Sequence, residues 1–354
     1  MRAFDFKAEY SRLLIPEVVV YLTQIHEYKG RQNLLIEANE DSLSGLLETA
    51  KIQSVEASNR MGGIITDDEQ LKKIAKNKTT PRTQTEREIA GYREALVTIS
   101  KDHAYLSPAP ITILQLHRDL FKFSGNAIGG NYRSLDPIIP EDPKDGRQTV
   151  RLQPVHASEI PDAVNALCDA FQTAVQDSEL DPLLLIPIFI LDFLCVHPFH
   201  DGNGRMSRLL MLLLLYRSGY IVGKYISIEK LISDTGGTYY EDLQASSYHW
   251  HEGTNDYAPF VTYMLSVLVA AYRNFENRVN LLNVKGLSKP DRVREIIKNH
   301  LGKITKSEIM AKCPDISQIT VQRALAELIE SGEIMKISGG RYTSYTWSKE
   351  RENK

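Results

Sequence analysis

A mainly α-helical fold, carrying one small β-hairpin and followed by a separate helix-turn-helix module, is the architecture that this 354-residue sequence predicts. Three observations lead there. Apolar residues recur at helical spacing through most of the chain as far as Asn280. One stretch, Gly129 to Pro154, instead alternates glycines and prolines with short β-favouring runs. The last part gives three helical patterns and then two alternating strands. The composition suits such a chain: 42% hydrophobic and 25% charged residues argue against disorder, and a net charge of -3 points to no polyanionic partner.

The N-terminal region, residues 1–110, shows helical periodicity around Leu13–Ile25, Leu43–Ala57 and Thr85–Ser100. A second region, residues 111–280, opens with "ITILQLHRDLF" just after the loop signal "SPAP", with Thr112 as N-cap. The hairpin follows, with a turn at "KDG", and helical pattern resumes at Ala157. Leu183–Val196 is broken by Pro187 and Asp192, and Leu209–Tyr216 is shorter than the ~18 residues that span a bilayer. Both read as core helices, and no membrane partner is expected. Cys168, Cys195 and Cys313 lie far apart and read as buried thiols of a reducing compartment; with no secretory signal visible, a cytoplasmic location is expected. Residues 288–348 supply "PDRVREIIKNHL", "KSEIMAKC", "ITVQRALAELIESG" and two strands around Gly339 and Gly340, the order of a winged helix-turn-helix.

The densest chemical signal is "HPFHDGNGRMSR", His197–Arg208, set between the two most apolar helical stretches. Gly202 and Gly204 permit a tight backbone path whose N–H groups can face an anion, and a helix starting near Asn203 adds its positive end. Arg205 and Arg208 sit three apart at that helix start and could fork onto phosphate oxygens. Asp201 could hold Mg²⁺ against a nucleotide. His197, with a reference pKa of roughly 6.5, can take a proton from an attacking hydroxyl, although a histidine before proline is also a common structural element.

The ordered string resembles the signature of the Fic (filamentation induced by cAMP) family, H-x-F-x-[DE]-G-N-G-R-x-x-R, at His197, Phe199, Asp201, Gly202, Asn203, Gly204, Arg205 and Arg208. Flanking segments resemble the same family: "GNYR", Gly130–Arg133, before a target-docking flap, and "YYEDL", Tyr239–Leu243, at an adenine pocket. The resemblance runs from about Ser54 to Val267 and implies a Fic-type helical bundle with a hairpin flap. It also implies adenylylation, in which AMP passes from ATP to a Ser, Thr or Tyr hydroxyl of a protein and pyrophosphate leaves.

By position, the resemblance makes His197 the base and Asp201 the Mg²⁺ holder. The glycine loop, Asn203 and Arg205 would stabilise charge on the phosphates, Arg208 would grip the γ-phosphate, and Tyr239 and Tyr240 would line the adenine pocket, while Phe199 anchors the loop. Ile138 and Ile139 would lie in a flap that adds a strand edge to an extended target peptide. On their own terms, the hairpin could be a plain surface hairpin and the two tyrosines core aromatics.

Many Fic proteins carry an inhibitory helix with the pattern [ST]-x-x-x-E-[GN], whose glutamate pairs with the second arginine of the signature. Within residues 54–64, "SNRMGG" fits with Ser58 first and Gly63 last, but the glutamate position is Gly62. The resemblance therefore implies a transferase without its brake. Two glycines could also simply end a helix, where glycine tolerates the left-handed conformation. ATP and a protein target, the chain itself included, are the expected partners, and a homo-oligomer is compatible with the sequence. Two alternatives stand beside this reading. One is a DNA-binding regulator whose Fic body senses nucleotide, with Gln318, Gln322 and Arg323 toward DNA. The other is a Fic-fold transferase of another phosphate-linked group. DNA is the less favoured partner because Glu327, Glu330 and Glu333 thin the basic face.

Overall fold

The computed structural model describes residues 2–37, 40–125, 128–136, 154–283, 288–298, 300, 302–314, 316–339 and 342–348. Ile138 and Ile139 of the expected flap, and most of its hairpin, lie outside the described residues. The chain divides into two compact units, Met1–Phe275 and Glu276–Lys354.

Among its described residues the first unit has helices and connecting loops but no strand. Its elements are α1 (Phe6–Arg12), α2 (Pro16–Glu37), α3 (Glu40–Met61), α4 (Asp68–Ala75), α5 (Gln84–Asp102), α6 (Pro110–Leu120), α7 (Ile160–Gln176), α8 (Pro182–Val196), α9 (Asn203–Arg217), α10 (Ile228–Asp234), α11 (Gly236–Ser247) and α12 (Ala258–Asn283), the last running past Phe275. Where the apolar pattern suggests a helix from Leu13 to Ile25, the structure starts it three residues later, at Pro16, and makes Leu13 the C-cap of the preceding α1. Leu13 is buried at the end of α1, and Pro16 opens α2, where a missing N–H costs nothing and φ is already helical.

Burial ranks the helices. Every residue of α8 from Leu183 to Val196 is buried, and α9 is buried along nearly its whole length, so this packed pair forms the centre of the first unit. α8 starts cleanly because Asp181 accepts a hydrogen bond from the Leu183 N–H (2.9 Å) and Pro182 takes the first helical position. α7 packs on α8, α5 packs on α3, α6 and α9, and α3 packs on α10. α5 begins with a reciprocal cap between Thr83 and Glu86. Its contact with α6 is so close that a Cβ on Gly91 would lie 1.9 Å from the Leu120 carbonyl oxygen. Gly91→Ala is therefore expected to cost about 3 kcal/mol or more of stability, read as a lower midpoint in urea unfolding; an unchanged midpoint would refute this packing.

The second unit contains α13 (Lys289–Lys298), β1 (Ile304–Thr305), α14 (Lys306–Lys312), α15 (Gln318–Glu330), β2 (Ile334–Gly339) and β3 (Tyr342–Trp347). Its antiparallel sheet has the order β1-β3-β2, with Ile334 opposite Trp347 and Ile304 opposite Tyr345. Two strands are expected from the alternation; the third, β1, is two residues long and too short to alternate visibly. Val293, Ile297, Ile304, Ile309, Val321 and Leu325 are among the residues that close its core. No helix among the described residues is long and apolar enough to cross a membrane.

Candidate active site

The turn from α8 to α9 needs two left-handed residues. His197 caps α8 with φ 51° and ψ 59°, and Gly202 precedes α9 with φ 85°. Glycine takes that conformation freely, whereas at His197 the surroundings must impose it. They do so through Arg133, whose Nε donates to the His197 carbonyl (2.9 Å) and whose backbone N–H donates to the Pro198 carbonyl (3.0 Å). Arg133 is itself fixed by bonds to the Val155 and Leu135 carbonyls and to Asp136. Gly202 is doubly determined, since a Cβ there would also press on Leu120 and Phe121 at 3.1 Å.

Inside the loop, Asn203 spends its whole side chain on one residue. Its Oδ1 accepts from the Phe199 N–H (3.0 Å) and its Nδ2 donates to the Phe199 carbonyl (2.8 Å). The expected phosphate contact of Asn203 is therefore left to its backbone. Phe199 is fully buried and lies flat on the His117 ring, centroids 3.7 Å apart. His117, from α6, accepts at Nδ1 from the Gly130 N–H (2.9 Å), so its proton sits on Nε2 and is donated to the Asp201 carbonyl (3.1 Å). Burial, aided by the Arg205 charge, lowers its pKa to about 4 and keeps the ring neutral.

The helical bonding of α9 reaches back to Gly202 with the Met206 N–H (2.8 Å), so the N–H groups of Asn203, Gly204 and Arg205 have no acceptor inside the helix. With the helix dipole, they put positive partial charge at the start of α9. Arg205 is buried between two carboxylates, Glu88 at 2.8 Å and Asp201 at 3.2 Å, and lies over the Phe121 ring. Asp201 is largely exposed, and its Oδ1 accepts from the Gly202 N–H (2.6 Å). Glu88 comes from α5, 117 positions before its partner, and nothing in its local sequence marks it.

Arg208 is buried and turned toward the end of α3. Its Nε donates to the Ser58 hydroxyl (2.8 Å) and its Nη2 to the Ser58 carbonyl (2.9 Å). Among the described residues no carboxylate forms an ion pair with it. Glu229, fully buried nearby, is taken up instead by Ser54 and Tyr92, and burial raises its pKa despite the Arg208 charge.

The two glycines that end α3 prove unlike. Gly63 has φ +76° and forms the left-handed cap, with the Gly63 N–H on the Arg60 carbonyl and the Ile64 N–H on the Asn59 carbonyl. Gly62 has no positive φ, and a Cβ there would find the Asn59 oxygen at 3.3 Å and the Ser58 oxygen at 3.8 Å. Helix termination accounts for glycine at 63 and leaves glycine at 62 unexplained.

His197 is half-buried, with Nδ1 lacking a hydrogen-bond partner among the described residues. Burial pushes its pKa below the usual 6.5, with the Leu194 carbonyl and Asp201 opposing and Arg133 assisting. Tyr239 is buried among Tyr240, Phe260 and Tyr263, which places its ring in the core; Tyr240 is the more open of the pair. Burial is the main influence raising the Tyr239 pKa, with Arg208 and Ser207 opposing it. The structure brings the loop together with Arg133 and Ser58, and His117 and Glu88, which the sequence does not mark, join them.

Residues 106–215 match the Fic/DOC family. A protein adenylyltransferase, fic-1 of Caenorhabditis briggsae, is 27% identical over 168 residues, which make up 47% of this chain and 28% of that relative's length. Among solved structures, a Fic family protein from Desulfovibrio desulfuricans G20 aligns over 95% of this chain and 97% of its own, with TM-score 0.60 and 21% identity. A Fic domain containing signaling protein from Bacteroides thetaiotaomicron VPI-5482 aligns over 71% and 95%, with TM-score 0.59 and 20% identity. At these identities the two structures speak for the fold, which is of Fic type.

Proposed function

We propose, from a Fic-type fold matched to the Fic/DOC family over residues 106–215, that this chain transfers AMP from ATP to a protein hydroxyl. One observation carries the reading. The backbone of His197 is pinned by Arg133 at one end of a loop whose other end is a helix N-terminus bearing Arg205 and Arg208. His197 takes the proton of the attacking Ser, Thr or Tyr hydroxyl as its oxygen bonds to the α-phosphorus. The bond from that phosphorus to the bridging oxygen breaks, and pyrophosphate leaves. The N–H groups that have no acceptor within α9 and the Arg205 guanidinium face the growing charge, and Arg208 takes the terminal phosphate. Tyr240 is the side chain better placed to meet the adenine, since Tyr239 is enclosed.

Mg²⁺ fits the donor set. Among the described residues no three His, Cys, Asp or Glu side chains cluster, so one exposed carboxylate, Asp201, would hold the ion and phosphate oxygens and water would complete its shell. When bound it would neutralise charge on the phosphates.

The decisive assay follows label from ATP into protein. Label at the α-phosphate should be retained and label at the γ-phosphate lost; the reverse would indicate a phosphoryl transferase instead. A second expectation concerns pH. Because the His197 pKa is lowered, the base stays neutral at pH 7, and the rate should hold level above pH 6.5 and fall only on further acidification. A rate already halved at pH 7 would count against His197 as base. Gln318, Gln322 and Arg323 are exposed on α15, which supports duplex DNA as the alternative partner of the second unit. Salt-dependent DNA binding without any AMP transfer would favour that alternative.

A further inference from the structure

His117 is buried, and both nitrogens of its ring are engaged. One contact holds the Gly130 N–H, three residues before Arg133, the side chain that grips the His197 carbonyl. The other holds the carbonyl of Asp201, next to Gly202 and the start of α9. The ring face is stacked on Phe199, between these two halves of the loop. The approach of Gly130 to α6 leaves no room for variation: its φ is +79°, and a Cβ there would meet Arg118 Nε at 3.0 Å and the Leu114 oxygen at 3.2 Å.

We infer that His117 is a positioning residue that registers the base-bearing half of the site against the phosphate-binding half. Its acceptor nitrogen sets Gly130, hence Arg133, hence the left-handed backbone of His197. Its donor nitrogen sets the Asp201 carbonyl, hence the loop that cradles phosphate. A ring is suited to this because the two nitrogens point apart and keep a fixed separation, and the fixed tautomer makes one an acceptor and the other a donor.

The two functions are separable by substitution. Asn at 117 can keep an acceptor near the Nδ1 position and loses the donor to Asp201. Gln can keep a donor near the Nε2 position and loses the acceptor for Gly130. His117→Asn is therefore expected to weaken binding of Mg²⁺-ATP, measured by calorimetry, about tenfold, with self-labelling at saturating ATP held within about threefold. His117→Gln is expected to leave ATP affinity within about threefold and slow self-labelling about tenfold, misplacement of a base being costly. A residue that merely fills the core would shift both quantities in both variants alike, and that result, or no change in either, would overturn the inference.

The labelling arm alone rests on the transferase reading. If no chain labels itself but the ATP affinities still separate, the transferase reading fails and the tie stands. Should both variants fail to fold, nitrogen-15 spectra of the unsubstituted chain decide. The histidine in contact with the Phe199 ring should be protonated at Nε2, and protonation at Nδ1 would overturn the inference.

Discussion

Replacing His197 with Ala should lower the rate of AMP transfer about a hundred- to ten-thousandfold, the usual range for loss of a general base. The loop itself should survive. Its left-handed turn is held by bonds from Arg133 to the backbone of His197 and Pro198, and these do not involve the imidazole. Phe199 remains bound by Asn203 and stacked on His117. ATP affinity should therefore stay within about threefold, since Arg205, Arg208 and the start of α9 are untouched. A His197→Ala chain that still transfers AMP at a tenth of the original rate would remove His197 from the chemistry. One that loses ATP binding would show the ring to be structural.

The second large effect is expected at Gly62. The backbone there is compatible with a side chain, and a Cβ would lie 3.8 Å from the Ser58 oxygen, which itself accepts from Arg208 Nη2 at 2.9 Å. A glutamate at 62 is thus within reach of a buried guanidinium that carries no carboxylate partner among the described residues. A charge-assisted bond there is worth about 1.5–3 kcal/mol, so Gly62→Glu should reduce transfer roughly ten- to hundredfold by occupying the arginine that would bind the terminal phosphate. Gly62→Ala is the informative control. It adds the same Cβ beside the Asn59 oxygen at 3.3 Å without the charge, and transfer should remain near the original rate. If Ala inhibits as strongly as Glu, the cause is crowding at the end of α3 and the missing-brake account fails.

What could be read from the sequence follows how local each interaction is. The string His197–Arg208 is legible because its glycines, carboxylate and arginines are contiguous, and one helix-to-helix turn brings them together. Gly62 stands out against a pattern only six residues long, yet its separation from Gly63 needed the backbone angles. Arg133 is visible as part of "GNYR", but its grip on the His197 carbonyl spans 64 positions and leaves no local trace. Glu88 and His117 are harder still, each lying inside an ordinary amphipathic helix where a polar residue reads as a solvated face. Asn203 looks like a phosphate ligand by its neighbours, while the fold commits its side chain to Phe199. Tyr239 and Tyr240 look equivalent in sequence, and only the packing of α11 against Phe260 and Tyr263 distinguishes them.

The measurement that bears most directly on the account is the intact mass of the chain after incubation with Mg²⁺ and ATP, run beside Gly62→Glu and His197→Ala. The account predicts a gain of one or more adenylates in the unsubstituted chain and little or none in either variant. An unsubstituted chain that gains no adenylate, or a Gly62→Glu chain that gains as much, would contradict it.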